Sequence, residues 1–255
     1  MILAIDIGNS NVVIGCVENG EIVSETRLAT DRVKTSDQYC MDLKATLLLY
    51  GIEVSRITDV IISSVVPPVL NSFRTAVLKL TGINPLVVGP GIKTGLNIKM
   101  DIPGQLGSDL VAVSVAAMRE YKLPLIIIDM GTATTFSVVD GKGCYIGGCI
   151  CPGVKISAEA LSSRTAQLPA ISLNAPKKAI GSNTIDCMQS GTMLGAACML
   201  DGMIGRMEEE LGEKATVVAT GGISKFVLPM CRREIQYDRN LLLKGLVILY
   251  ELNRH

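Results

Sequence analysis

The stretch Ala4-Ile5-Asp6-Ile7-Gly8-Asn9-Ser10-Asn11-Val12-Val13-Ile14-Gly15 decides how this chain is read. Apolar residues lead into Asp6, Gly-Asn-Ser-Asn makes a tight turn, and Val-Val-Ile follows. The pattern predicts a β-hairpin: Gly, Asn and Ser supply turn geometry, and the β-branched flanks suit strands. The backbone N–H groups and short polar side chains of such a turn can surround a phosphate. A carboxylate at the strand's end can hold Mg²⁺ through water, because Mg²⁺ takes oxygen ligands and keeps much of its hydration. Alone, the stretch fits an ordinary hairpin with a surface aspartate equally well.

The same grammar returns at Ile126-Ile127-Ile128-Asp129-Met130-Gly131-Thr132-Ala133-Thr134-Thr135-Phe136-Ser137-Val138-Val139. The two aspartates lie about 120 residues apart, the length of one small domain. An internal duplication with a phosphate turn in each half resembles the actin, sugar kinase and Hsp70 superfamily. That resemblance implies two duplicated actin-like (ribonuclease H-like) α/β domains with an ATP cleft between them. The expected halves are residues 1–117, carrying the first turn and a linking helix, and 118–255, carrying the second.

Composition narrows the function classes. Hydrophobic residues make up 48% of 255 and charged residues 19%, as in a well-buried globular chain. Lys plus Arg equals Asp plus Glu at 24 each, with six Tyr, three Phe and no Trp. Neither a basic face nor a stacking platform for nucleic acid is expected. Met1 leads directly into the first strand and no apolar run reaches the ~18 residues of a spanning helix, so a cytoplasmic protein with no membrane partner is expected. The eight cysteines form no C-x-x-C pair and are expected as small buried hydrophobes rather than zinc ligands. The only histidine is His255, so the expected general base is a carboxylate.

Along the chain, the pattern predicts a strand over 21–28 after an Asn19-Gly20 turn and a helix over 36–50 ending at Gly51. A strand over 59–65 is expected to stop at Pro67-Pro68, before a helix over 69–80 and a strand over 86–88. Alternating strands and helices imply a largely parallel sheet. Gly89-Pro90-Gly91 and Gly141-x-Gly143 lack the P-loop and dinucleotide patterns and are expected as loops. Asp109 opens an amphipathic helix, Leu110 to Tyr121, where its carboxylate can cap free N–H groups. The Gly147-Gly148 pair lets backbone approach another strand or a ligand closely. Residues 182–211 form the longest helical region, whose Gly, Ala and Met residues suit a core or dimer helix. A strand over 216–220 closes on Gly221-Gly222, bare backbone against which adenine could lie. The last helix, 240–252, is expected on the second domain.

Six segments in order then narrow the resemblance. They are Asp6-Ile-Gly-Asn-Ser-Asn11, Ser63-Ser64-Val65-Val66-Pro67-Pro68, Gly89-Pro-Gly-Ile-Lys-Thr-Gly-Leu96, Asp129-x-Gly-Thr-Ala-Thr-Thr135, Gly147-Gly-x-Ile-x-Pro-Gly153 and Ala219-Thr-Gly-Gly222. Together they resemble type III pantothenate kinase over essentially the whole chain. The resemblance implies phosphorylation of pantothenate by ATP, the first step towards coenzyme A, with Mg²⁺ and a monovalent cation such as K⁺ or NH4⁺. It also implies a homodimer whose acceptor site lies near the interface. Carried over by motif, Asp6, Ile7, Gly8, Asn9, Ser10, Asn11, Val12 and Val13 would hold the ATP phosphates, with Asp6 on Mg²⁺ through water. Thr132 would contact ATP, Asp129 would bind the monovalent cation, and Asp109 would accept the proton. Met100, Gly107, Ser108, Asp109, Leu110 and Thr184 would form the pantothenate site.

Two of these positions depart from the family pattern. Gly-x-Asp-Arg is here Gly107-Ser108-Asp109-Leu110, and the tyrosine after Asn-Ile-Lys is Met100. Leucine offers a carboxylate none of the charge-assisted bonds of arginine. The ATP half of the site thus keeps the family pattern and the acceptor half does not. A non-catalytic ATP-binding regulator, or a kinase for another small hydroxyl compound, are the alternatives this leaves.

Overall fold

The computed structural model describes residues 1–254, so His255 lies outside the described residues. Contacts divide the chain into two units. One comprises Met1–Gly95, Ile102–Ala116 and Leu241–His255; the other comprises Leu96–Asp101 and Ala117–Asn240.

In the first unit, strands β1 (Ile2–Ile7), β2 (Asn11–Glu18) and β3 (Glu21–Ala29) form antiparallel hairpins. Asn19 and Gly20 turn the second hairpin with positive φ of 53° and 82°, a conformation in which Asn and Gly meet little steric penalty. Strands β4 (Asp59–Ser64) and β5 (Leu86–Val87) continue the sheet in parallel, giving the order β3-β2-β1-β4-β5. Helix α1 (Ser36–Leu49) starts at a reciprocal cap between Thr35 and Gln38. Helix α2 (Pro67–Thr81) begins with the two prolines that the sequence pattern placed at a strand stop. Their fixed φ suits a first helical turn, where no N–H is needed. Tyr39, Leu43 and Leu47 of α1 and Phe73 and Val77 of α2 bury one face of β1 and β2, meeting Leu3, Ile5 and Ile14.

The second unit repeats the plan. Strands β7 (Leu125–Met130), β8 (Ala133–Val139) and β9 (Cys144–Pro152) form antiparallel hairpins, and β10 (Thr216–Thr220) and β11 (Gln236–Tyr237) add in parallel beside β7. A short β6 (Asn97–Ile98) extends the far edge, giving β11-β10-β7-β8-β9-β6. Gly148 lies so close to the Phe136 carbonyl that a β-carbon would overlap its oxygen. Gly148 therefore serves a neighbouring strand, whereas Gly147 is set apart by its positive φ of 137°. Helix α4 (Val154–Arg164) follows β9. The long helical region is α5 (Thr184–Gln189), a π-helical turn over Ser190–Leu194 and α6 (Gly195–Leu211). Met193, Ala197, Leu200 and Ile204 from it cover Ile126, Ile128 and Phe136. A β-carbon added at Gly191, Gly195, Gly202 or Gly205 would meet nothing within 4 Å among the described residues, so no close approach requires glycine there. Cys187 and Cys198 are exposed, contrary to the expectation that the cysteines are buried, because both fall on the outer side of this helical region.

Helix α3 (Ser108–Glu120) passes from the first unit to the second at Ala116. The final helix α8 (Leu241–Asn253) corrects the sequence reading: it belongs to the first unit and packs on β1 and β4. Two glycines explain why. Gly15 makes room for Leu243, whose Cδ1 would sit 2.6 Å from a β-carbon there. Gly245 lies directly against the backbone of Ala112 in α3. Gly245→Ala should therefore force the two helices apart and destabilise the protein by about 1–3 kcal/mol or more, measured by urea unfolding. Unchanged stability would mean that α8 is not seated on α3.

Candidate active site

Each unit carries an aspartate where a buried strand gives way to a turn. In the first, Leu3, Ala4, Ile5 and Ile7 of β1 are fully buried, and Asp6 is 7% exposed. Asp6 lies in register with Val13 on one side and Ser63 on the other. The turn beyond it closes through the Gly8 N–H donating to the Asn11 carbonyl, 3.0 Å. It is braced from outside by Thr30, whose hydroxyl donates to the Gly8 carbonyl at 2.6 Å and whose N–H donates to the Ser10 carbonyl at 3.0 Å. The sequence reading missed Thr30 as a support. The signal was present in the hairpin register, which sets Ala29 opposite Asn11 and so delivers residue 30 to the turn.

The start of α3 is fastened to the same region by Ser108. Its hydroxyl is 2.9 Å from the Ser63 hydroxyl, accepts the Ser64 N–H at 3.1 Å and faces the Ser64 carbonyl at 3.2 Å. A hydroxyl has one proton and two lone pairs. The consistent assignment has Ser108 donating to the Ser64 carbonyl and accepting from Ser63 and from the Ser64 N–H. Ser63 is fully buried and is the register partner of Asp6, so one short chain of contacts links the Asp6 strand end to α3.

Asp109 follows inside the first helical turn rather than ahead of it. Its Oδ1 accepts the Leu110 N–H at 2.8 Å, so it also satisfies one of the free donors of the helix start. A side chain at Gly107 would strike this carboxylate, which gives the glycine its reason. Burial pushes the Asp109 carboxyl above the ordinary carboxylate value, against the opposing effect of the Leu110 N–H and its own backbone N–H. Leu110 is half-buried beside it.

In the second unit Asp129, the penultimate residue of β7, lies between Thr135 of β8 and Thr220 of β10 in the cross-strand register. Thr135 presents a buried hydroxyl with no hydrogen-bond partner among the described residues. A carboxylate and hydroxyls on one sheet face form an all-oxygen donor set, which fits a hard cation. Thr132 is exposed at the tip of the turn, which closes through the Gly131 N–H and the Ala133 carbonyl at 3.0 Å. Gly153 and Gly221 pack against this turn and strand end, where β-carbons would lie 2.6 Å from the Gly131 and Met130 carbonyl oxygens respectively. Gly221, at φ 95°, is thus used by the chain's own packing, and Gly222 is the exposed member of the pair. Thr184 is exposed at the start of α5, behind the Asn183 cap, and Met100 is half-buried just after β6. The structure therefore groups Asp6 to Val13 with Gly107 to Leu110 in one unit, and Met100, Asp129, Thr132, Thr184, Gly221 and Gly222 in the other.

The raised carboxyl of Asp109 has a sign for stability. Folding favours its protonated form, so its contribution is fully present below the unfolded-state pKa and is lost as pH rises through the raised folded value. At pH 7 the ionised group is a liability that asparagine lacks. Asp109→Asn should melt about 2 °C or more above the wild type at pH 7, with the gap narrowing as pH falls towards 4. A variant less stable than wild type at pH 7 would contradict this reading.

Comparison with known proteins agrees along the whole chain. A profile described as type III pantothenate kinase matches residues 2–206. A type III pantothenate kinase from Bacillus cytotoxicus is 44% identical over 253 residues, spanning 99% of this chain and 97% of its own. One from an Exiguobacterium species is 43% identical over 254 residues, spanning 100% of both. A solved Campylobacter jejuni structure assigned to the Baf family of transcriptional activators covers 98% of both chains with a TM-score of 0.63 at 18% identity, a likeness of fold alone. The duplicated two-sheet architecture is the actin-like fold. By profile and by full-length identity, the chain belongs to the type III pantothenate kinase family.

Proposed function

We propose that this protein transfers the γ-phosphoryl group of ATP to the 4′-hydroxyl of pantothenate, giving 4′-phosphopantothenate and ADP at the head of coenzyme A synthesis. The observation that carries the mechanism is Asp109. It is a carboxylate with burial-raised basicity, fixed by the Ser108 contacts and left clear space by Gly107. As the acceptor oxygen bonds to phosphorus and the bond to the ADP oxygen breaks, Asp109 takes the hydroxyl proton. Residues 6–13 hold the phosphates through turn N–H groups and short side chains, and Thr132 contacts the nucleotide. Gly222 offers bare backbone to adenine. Asp6 would hold Mg²⁺ through water and Asp129 a monovalent cation, K⁺ or NH4⁺, and these ions would supply positive charge near the phosphates. The chain's own part is positioning and electrostatic complementarity.

Pantothenate contacts are assigned to Met100, Gly107, Ser108, Leu110 and Thr184. The reading includes a cytoplasmic homodimer with the acceptor site near its interface. A division of labour between 1–117 and 118–255 extends this reading, with α8 returning to the first unit. A second reading, an ATP-binding regulator or a kinase for another hydroxyl compound, is favoured by one feature. Leu110 gives the substrate carboxylate no cation.

Two variants separate these readings. Asp109→Asn cannot take the proton, so turnover should fall about 10²–10⁴-fold with ATP affinity little changed. In the wild type, the acid limb of turnover should lie above the ordinary carboxylate pKa of about 3.9, following the raised Asp109. Near-normal turnover of the variant would remove Asp109 from the mechanism. Leu110→Arg should lower KM for pantothenate about tenfold and leave KM for ATP unaltered, since a carboxylate remote from the reacting hydroxyl is bound alike in ground and transition states. The helix dipole opposes that arginine by only about 0.3–1 kcal/mol. An unchanged KM for pantothenate in the folded variant would transfer the site to another acceptor.

A further inference from the structure

The turn at residues 8–13 contains no lysine or arginine, although the reading above gives it a triphosphate to hold. A cation reaches it from the next segment. Arg32 Nη2 donates to the Asn9 side-chain oxygen at 3.3 Å, within the turn itself. Arg32 is exposed, and no carboxylate pairs with it among the described residues.

The backbone that presents Arg32 is held on both sides. Thr30 bonds to Gly8 and Ser10. The Asp31 N–H donates to the Tyr39 hydroxyl at 3.1 Å, and that hydroxyl donates to the Asp31 carbonyl at 2.5 Å. Tyr39 is fully buried, so this anchor is part of the core. The Asp31 carboxylate folds back to accept the Val33 N–H at 3.0 Å, and Lys34 is matched by Asp42 at 2.8 Å. The neighbouring charges thus have partners of their own. One of the five guanidinium N–H groups of Arg32 meets Asn9, which leaves the rest of the fork for an anion.

We propose that Arg32 binds the terminal phosphates of the nucleoside triphosphate held at the 8–13 turn. The inference rests on the phosphate reading of that turn. Guanidinium is suited to this work because its fork matches phosphate oxygens two at a time and never deprotonates. A rigid segment delivers it with little ordering left to do on binding.

The test is calorimetric binding of ATP, ADP and AMP, each with Mg²⁺, to wild type, Arg32→Gln and Arg32→Lys. Turnover with pantothenate and melting temperature are measured alongside. Arg32→Gln should weaken ATP about tenfold or more and leave AMP binding and Tm unchanged, and Arg32→Lys should recover part of the loss. The salt dependence of ATP binding should be shallower in Arg32→Gln than in wild type. Equal ATP affinity in wild type and Arg32→Gln would overturn the proposal. So would an equal loss for ATP and AMP, which would mark Arg32 as a structural brace on Asn9. Binding requires no acceptor, so a wild type that binds ATP without turning over pantothenate would refute the acceptor and leave Arg32 to be judged on affinity. A wild type that binds no ATP would refute the turn and Arg32 together.

Discussion

Taking a carboxylate out of water without donors or a cation beside it is unfavourable by several kcal/mol, and this constraint shapes both halves of the chain. The apolar strands β1 and β7 each carry an aspartate as their penultimate residue, next to a turn built of Gly, Asn, Ser or Thr. The strand fixes the carboxylate's position beside the turn. A third carboxylate, Asp109, is held at a helix start with its basicity raised by burial. Burial disfavours its ionised form, and the bond from the Leu110 N–H favours it.

Precision around Asp109 comes from short polar contacts. Ser108 places three neighbours around one hydroxyl, and Gly107 removes the side chain that would displace the carboxylate. On the other side of α3, Gly245 lets α8 lie directly on Ala112. The helix carrying Asp109 is thereby fixed at its first turn by hydrogen bonds and at Ala112 by backbone contact. Both attachments lie within one folded unit. Leu110 immediately follows Asp109 in the same helical turn.

Much of this was legible before the structure. The repeated apolar-Asp-x-Gly grammar specifies both hairpins, and the β3-β2-β1-β4-β5 order recurring as β9-β8-β7-β10-β11 is the duplication it implied. Local signals also gave α1 and the β10 strand. What escaped was non-local. The seat of α8 depends on Gly15 and Gly245 meeting partners far away in sequence, which no periodicity reveals. The two-residue strands β6 and β11 are too short to carry a pattern. Gly221 read as a ligand wall because bare backbone looks alike whether a ring or Met130 lies against it. Arg32 was invisible because an arginine after a strand says nothing until the register brings it to Asn9.

The central claim is that the intact ATP half and Asp109 serve transfer to pantothenate despite leucine at position 110. The most direct measurement is ADP release by the wild-type protein with ATP, Mg²⁺ and K⁺ across a panel of small hydroxyl compounds, with phosphorylated product identified by mass. The account predicts ADP released in step with 4′-phosphopantothenate, and pantothenate the best acceptor in the panel. Tight ATP binding with no ADP release on any acceptor, pantothenate included, would contradict it.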